Sequence, residues 1–232
     1  MLSSLPPFVL FFVGAIVIAF TRGTVRKVLI LAIPLVGGLN LWFGVEPGLH
    51  LQFDLLGYTL TPYRADKLSL LFGYLFHLAA FLGFVYALHL GDGAPEGSVA
   101  GEVGEDDIVG NASAGLQHVA AMVYAGSALG AVFAGDFITL FIFWELLAIS
   151  SVFLVWARKS ERSYATGFRY LIIHVVSGVL LLSGALMLAH ETGSIAFEHV
   201  GLDGTGAAGW MLLLSLGIKA CLLYTSDAAD DT

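Results

Sequence analysis

Seven largely apolar stretches follow one another along the chain: Leu2–Phe20, Val28–Phe43, Leu68–Leu90, Leu116–Ala134, Phe137–Trp156, Tyr170–Ala189 and a last one from Ala208 onward. This succession constrains the fold more than any other feature. A helix crossing ~30 Å of hydrocarbon needs roughly 20 mostly apolar residues. Composition agrees, with 58% of the 232 residues hydrophobic and 12% charged and a mean hydropathy of +0.87. A soluble domain runs at ~45–50% apolar and ~25% charged. A soluble enzyme and a disordered tail are therefore disfavoured. A net charge of −8 also offers no basic face to a nucleic acid. The sequence predicts an all-α, polytopic membrane domain of about seven transmembrane helices in a lipid bilayer.

The second run is short, and Pro34 inside it predicts a kink. A signal peptide is the alternative for the first run, but that run lacks a basic leader and a small-x-small cleavage site. The basic residues set the orientation. With the N-terminus outside, the inner loops hold Arg22, Arg26, Lys27, Arg158, Lys159, Arg162 and Arg169, and the outer loops only Arg64 and Lys67. Seven against two is the bias expected of cytoplasmic loops.

The connections divide the chain. Residues 1–134 hold helices 1–4, with a surface hairpin expected within 44–66 from the alternation of Leu49, Leu51, Phe53 and Leu55. Residues 91–115 are rich in Gly, Ala, Asp and Glu without Lys or Arg, and read as a solvated acidic loop. Gly135-Asp136 is a tight turn that opens a second region, 135–220. The string 221–232 resembles the translation of a transposon-type sequencing adapter, so a non-native tail is expected there, with Ala220 as the last natural residue. Cys221 is the only cysteine, and no disulfide framework or iron–sulfur ligand set exists.

Chemistry in such a chain comes from polar residues placed in lipid, where a central charge costs ~2.5–3.5 kcal/mol on insertion scales. Of eighteen Asp and Glu, only Glu145 lies deep in a run, and Lys219 is its one basic counterpart. Burial favours the neutral form of an acid or a base, whereas mutual attraction favours the charged forms. A change in separation or hydration therefore changes proton affinity, and a lysine, unlike an arginine, can release its proton. The bland alternative is a structural ion pair. His77 and His174 lie inside runs and either relay protons or bond to a neighbouring helix. Ser150, Ser151, Ser177, Gly178, Ser183 and Gly184 line a hydrated path or permit close packing. Gly126 and Gly130, and the trio Ala79, Gly83 and Ala87, have the small-residue spacing of helix contacts. Trp42 and Trp156 fit interfacial anchors, and Trp144 packs beside Glu145. No ligand spacing for a metal is present.

The stretch from Gly135 to Ser151, with Trp144 and Glu145 at its heart, resembles the fifth-helix motif of proton-conducting antiporter-like subunits. These occur in Mrp-type cation/proton antiporters, the membrane arm of NADH:quinone oxidoreductase and membrane-bound hydrogenases. Asp66–Ser69 and Leu216–Ala220 resemble two further elements of that family. The resemblance implies that Glu145 and Lys219 match its coupled acid and proton-carrying lysine, and that Arg169 stands where many members have a basic residue. It also implies other membrane subunits as partners, protons and Na⁺ as cargo, no cofactor, and the inner (plasma) membrane of a bacterium. Phe143–Phe153 and Gly167–Ser177 look most similar to the D-type subunit of Mrp antiporters. A subunit of an oxidoreductase or hydrogenase is the alternative. More distant are a cytochrome with haem between His77 and His174, and a structural scaffold.

Overall fold

The computed structural model describes residues 5–55, 57–91, 105–156, 161–197 and 206–227. The elements are α1 (Pro7–Phe20), α2 (Gly23–Gly44), β1 (Gly48–Leu55), β2 (Tyr58–Ala65), α3 (Lys67–Gly91), α4 (Glu105–Phe133), α5 (Phe137–Trp156), α6 (Glu161–Thr192) and α7 (Gly206–Asp227). Seven helices with a small hairpin between the second and third are the architecture expected. Among the described residues, five stretches are long and apolar enough to cross a membrane: Gly23–Gly44, Lys67–Leu88, Gly115–Phe133, Phe137–Trp156 and Tyr164–Thr192. Pro7–Phe20 and Gly206–Lys219 are shorter apolar helices.

Helices α1, α4, α5, α6 and α7 pack in that order, each against the next, and α2 joins α1 to α3. Small residues set the close approaches. A side chain at Gly126 would meet Phe11 and the Phe8 backbone, and one at Gly130 would overlap the Phe143 ring. The expected contact spacing of α4 is therefore used. The trio on α3 is not used for packing, since Ala79 and Gly83 are exposed and a side chain at Gly83 would meet nothing. The inward face of α3 is Ser69, Gly73, His77 and Phe84, and a side chain at Gly73 would meet Phe133 and Leu41. On a helix that is apolar all round, small-residue spacing does not reveal which face turns inward.

Loops are shorter than the hydropathy suggests. Helix α2 begins at Gly23 and runs through Pro34 as one helix. Arg26 and Lys27 are thus on its first turns, and the Arg26 guanidinium reaches back to the Thr21 carbonyl at 2.9 and 2.6 Å. Arg169 stands inside α6, not ahead of it. The acidic loop is corrected in the same way: its residues 105–115 belong to α4, because Glu and Asp are tolerated in a helix's first turns next to its dipole. The rest of that loop, Arg158, Lys159 and His199 lie outside the described residues. The α7 backbone stays helical across position 220 to Asp227.

The hairpin pairs Gly48 with Ala65 and Leu55 with Tyr58, and Gly57 turns at φ +84°. Strand β2 buries Leu60, Thr61, Tyr63 and Ala65, whereas β1 is exposed throughout. A capping box follows: Ser69 N–H donates to Asp66 Oδ1 at 2.7 Å and Asp66 N–H donates to Ser69 Oγ at 2.7 Å. These bonds, with Arg64 at 3.4 Å, hold the Asp66 carboxyl below its ordinary range, the backbone bond from Ser69 contributing most.

Candidate functional site

Glu145 sits near the middle of α5, and Lys219 reaches it from α7. Lys219 Nζ lies 3.6 Å from Glu145 Oε1, with the two side chains 9% and 21% exposed. That separation is an ion pair just beyond hydrogen-bond length. The ammonium donates instead to the Trp144 carbonyl at 3.3 Å and stands 4.6 Å from the centre of the Trp144 ring. Trp144 therefore holds the lysine with both its backbone and its aromatic face. Helix α6 supplies the third wall: a side chain at Gly178 would overlap the Glu145 carboxylate. Only glycine there leaves the acid its place.

Polar atoms around the pair are under-used. Glu145 Oε1, Trp144 Nε1 and both ring nitrogens of His174 are buried without a hydrogen-bond partner. His174 is within electrostatic reach of Lys219, and its ring centre is 4.0 Å from that of Tyr170. The Tyr170 hydroxyl lies 3.1 Å from Ser151 Oγ, which donates to the Ala148 carbonyl at 2.7 Å.

The start of α5 is fixed by Asp136, which is fully buried. Its Oδ1 accepts from the Thr139 amide at 2.7 Å, and its Oδ2 accepts from the Thr139 hydroxyl and the Thr61 amide, both at 2.6 Å. The Phe137 amide donates to the Ile195 carbonyl and the Phe197 amide to the Gly135 carbonyl. One helix N-terminus thus joins the hairpin, α5 and the segment after α6.

Residues 134–225 match the family model described as NADH:quinone oxidoreductase/Mrp antiporter, transmembrane. This region, less than half of the chain, is similar to that family. The Na⁺/H⁺ antiporter subunit A1 of Staphylococcus epidermidis is 33% identical over 79 residues, 33% of this chain and 10% of that protein. Its counterpart in Staphylococcus aureus is 33% identical over 81 residues, 34% of this chain and again 10% of the relative. The matched segment is thus a small part of these relatives. Among solved structures, a chain of respiratory complex I from Thermus thermophilus matches 94% of this chain and 44% of its own length, at TM-score 0.67 and 17% identity. A chain of an archaeal membrane-bound sulfane sulfur reductase matches at TM-score 0.63 and 17% identity, over 93% of this chain and 42% of that one. At these identities the likeness is one of fold.

The residues singled out from sequence divide into two groups. Glu145, Lys219 and His174 share one neighbourhood, and Ser151 connects to it through Tyr170. Arg169 is exposed on α6, and Ser177 faces α7 rather than the pair. His77 is buried elsewhere: its Nδ1 bonds to the Gly73 carbonyl at 2.7 Å, and its ring meets Phe11 and the space over Gly37. These contacts are with α1, α2 and its own helix, whereas His174 packs against Tyr170 within α6. Sequence reasoning missed Asp136, Tyr170 and Ser215. Asp136 had a readable signal, an Asp three residues before Thr at the head of an apolar run. Ser215, four residues before Lys219, had one in its spacing. Tyr170 had none.

Proposed function

We propose that the chain is an ion-translocating subunit of a multisubunit cation/proton antiporter, with Lys219 carrying the proton and Glu145 modulating its affinity. The observation that carries this reading is the meeting of Glu145 and Lys219 at 3.6 Å within the stretch similar to the antiporter family model. At that distance and an effective dielectric of about 20, full charges attract by about 5 kcal/mol. Small changes in separation or wetting therefore redistribute a proton. The under-used atoms of Trp144, Glu145 and His174 are the donors and acceptors that bridging water would satisfy. His174, with Ser151 reached through Tyr170, is the relay we favour over Arg169.

A D-type identity rests on Phe143–Phe153 and Gly167–Ser177, and the Staphylococcus relatives are A1 subunits. The reading includes Na⁺ as the exchanged cation, neighbouring membrane subunits as partners, and a bacterial inner membrane with the N-terminus outside. The likeness in fold to a complex I chain favours a membrane-arm oxidoreductase subunit as the second reading. Proton flux in everted vesicles tests both. Flux driven by a Na⁺ gradient supports the antiporter, and flux that requires quinone reduction supports the alternative. Glu145→Gln and Lys219→Arg should each abolish flux with the subunit still in the membrane. Wild-type flux in Lys219→Arg would return the pair to a structural ion pair, because guanidinium stays charged.

A further inference from the structure

We propose that Ser177 and Ser215 form a clasp that positions Lys219 opposite Glu145 and takes no part in moving protons; the inference rests on the acid–base reading above. Both residues are fully buried. Ser177 Oγ donates to the Ser215 carbonyl at 2.9 Å, and Ser215 Oγ donates back to the Ser177 carbonyl at 2.7 Å. A hydroxyl has one proton to give, and each of these is given to the opposing backbone. The 3.2 Å approach of the two oxygens is left with none. A relaying hydroxyl must exchange its proton along a path, whereas this pair closes on itself.

Its position explains what the clasp does. Ser215 lies one turn before Lys219, on the same face of α7. In helical geometry the Ser215 carbonyl also accepts the Lys219 amide. Ser177 precedes Gly178, whose bare backbone leaves room for the Glu145 carboxylate. Two consecutive residues of α6 therefore fix the height of the lysine helix and house the acid. The attraction between the charges falls as 1/r, so a slip of ~1 Å from 3.6 Å weakens it by about a fifth. The clasp is what prevents that slip.

The test is proton flux against pH in everted vesicles of the source organism, with Ser177→Ala and Ser215→Ala made at the chromosomal locus, singly and together. An interhelical bond of this kind shifts an equilibrium by roughly threefold in a membrane protein. Each single variant should lower flux at the wild-type optimum by about that factor and displace the pH profile in the same direction, and the pair should lose roughly tenfold. Ser177→Cys and Ser215→Cys put a somewhat larger, weakly donating thiol in place of the hydroxyl, and should fall between. They carry the test if the alanine variants do not accumulate. Loss of all flux in Ser177→Ala with a silent Ser215→Ala would make Ser177 a relay and overturn the clasp. Unmoved pH profiles in both would overturn it as well. Flux retained in Glu145→Gln would instead refute the acid–base reading itself.

Discussion

Replacing Asp136 should loosen the N-terminal end of α5, and the size of the effect follows from its bonds. The carboxylate accepts three hydrogen bonds at 2.6–2.7 Å. In Asp136→Ala the Thr139 hydroxyl can rotate to another acceptor, but the Thr61 and Thr139 amides cannot. The lost cap to the Thr139 amide is worth ~1 kcal/mol and the stranded, buried Thr61 donor costs ~1–3 kcal/mol, which gives about 3 kcal/mol as a central value. Asp136→Asn keeps one acceptor oxygen for Thr139 and turns an NH₂ toward the Thr61 amide, so about half of that loss is expected. Hydrogen exchange by mass spectrometry, on the protein in detergent, reads the change locally. If exchange proceeds through local opening, ~3 kcal/mol accelerates the Thr61 peptide roughly 150-fold. Asp54→Ala is the control, since the Asp54 bond to Thr59 is exposed and worth little. Unchanged exchange at Thr61 in Asp136→Ala would refute the reasoning.

Gly178→Ala should depress proton flux at least tenfold without loss of the subunit from the membrane, because its methyl displaces the Glu145 carboxylate. Gly217→Ala, where a side chain meets nothing, should be silent; equal effects at the two sites would dismiss the steric argument. The lowered Asp66 carboxyl stabilises the start of α3 above its unfolded value near 3.8, and that support is lost as pH falls through the lower folded value. Exchange at Ser69, corrected for the intrinsic effect of pH, should therefore rise below about pH 4, and the same rise in Asp66→Asn would disprove the assignment. Gly57→Ala, at φ +84°, should destabilise the hairpin by about 1–2 kcal/mol, seen as faster exchange across 58–60.

Helices and hairpin were legible because lipid makes apolar length a direct measure of a span. Glu145 and Lys219 were legible for the converse reason, since a charge at such depth needs a cause. What escaped was whatever depended on which face of an all-apolar helix turns inward. Ala79 and Gly83 have the same spacing as Gly126 and Gly130, and only the latter pair meets another helix. The boundaries of α2, α4 and α6 also escaped, because polar first turns such as Arg26-Lys27 and Glu105–Asp107 remain helical beyond the apolar stretch. Gly178 stood in a row of small residues, but nothing in that row marked it as the seat of the acid.

The bonds at the head of α5 also impose an order on biogenesis. Thr61 has left the ribosome well before Asp136, so its hairpin partner is already present when the carboxylate emerges. Ile195 and Phe197 emerge roughly sixty residues after Gly135 and Phe137, which at ~5–20 residues per second is a delay of several seconds. During that interval the Phe137 amide and Gly135 carbonyl must be served by interfacial water. The helix is therefore tethered to older chain first and sealed by younger chain later, so a chain that ends after α5 but before Ile195 leaves the N-terminal end of α5 unsealed.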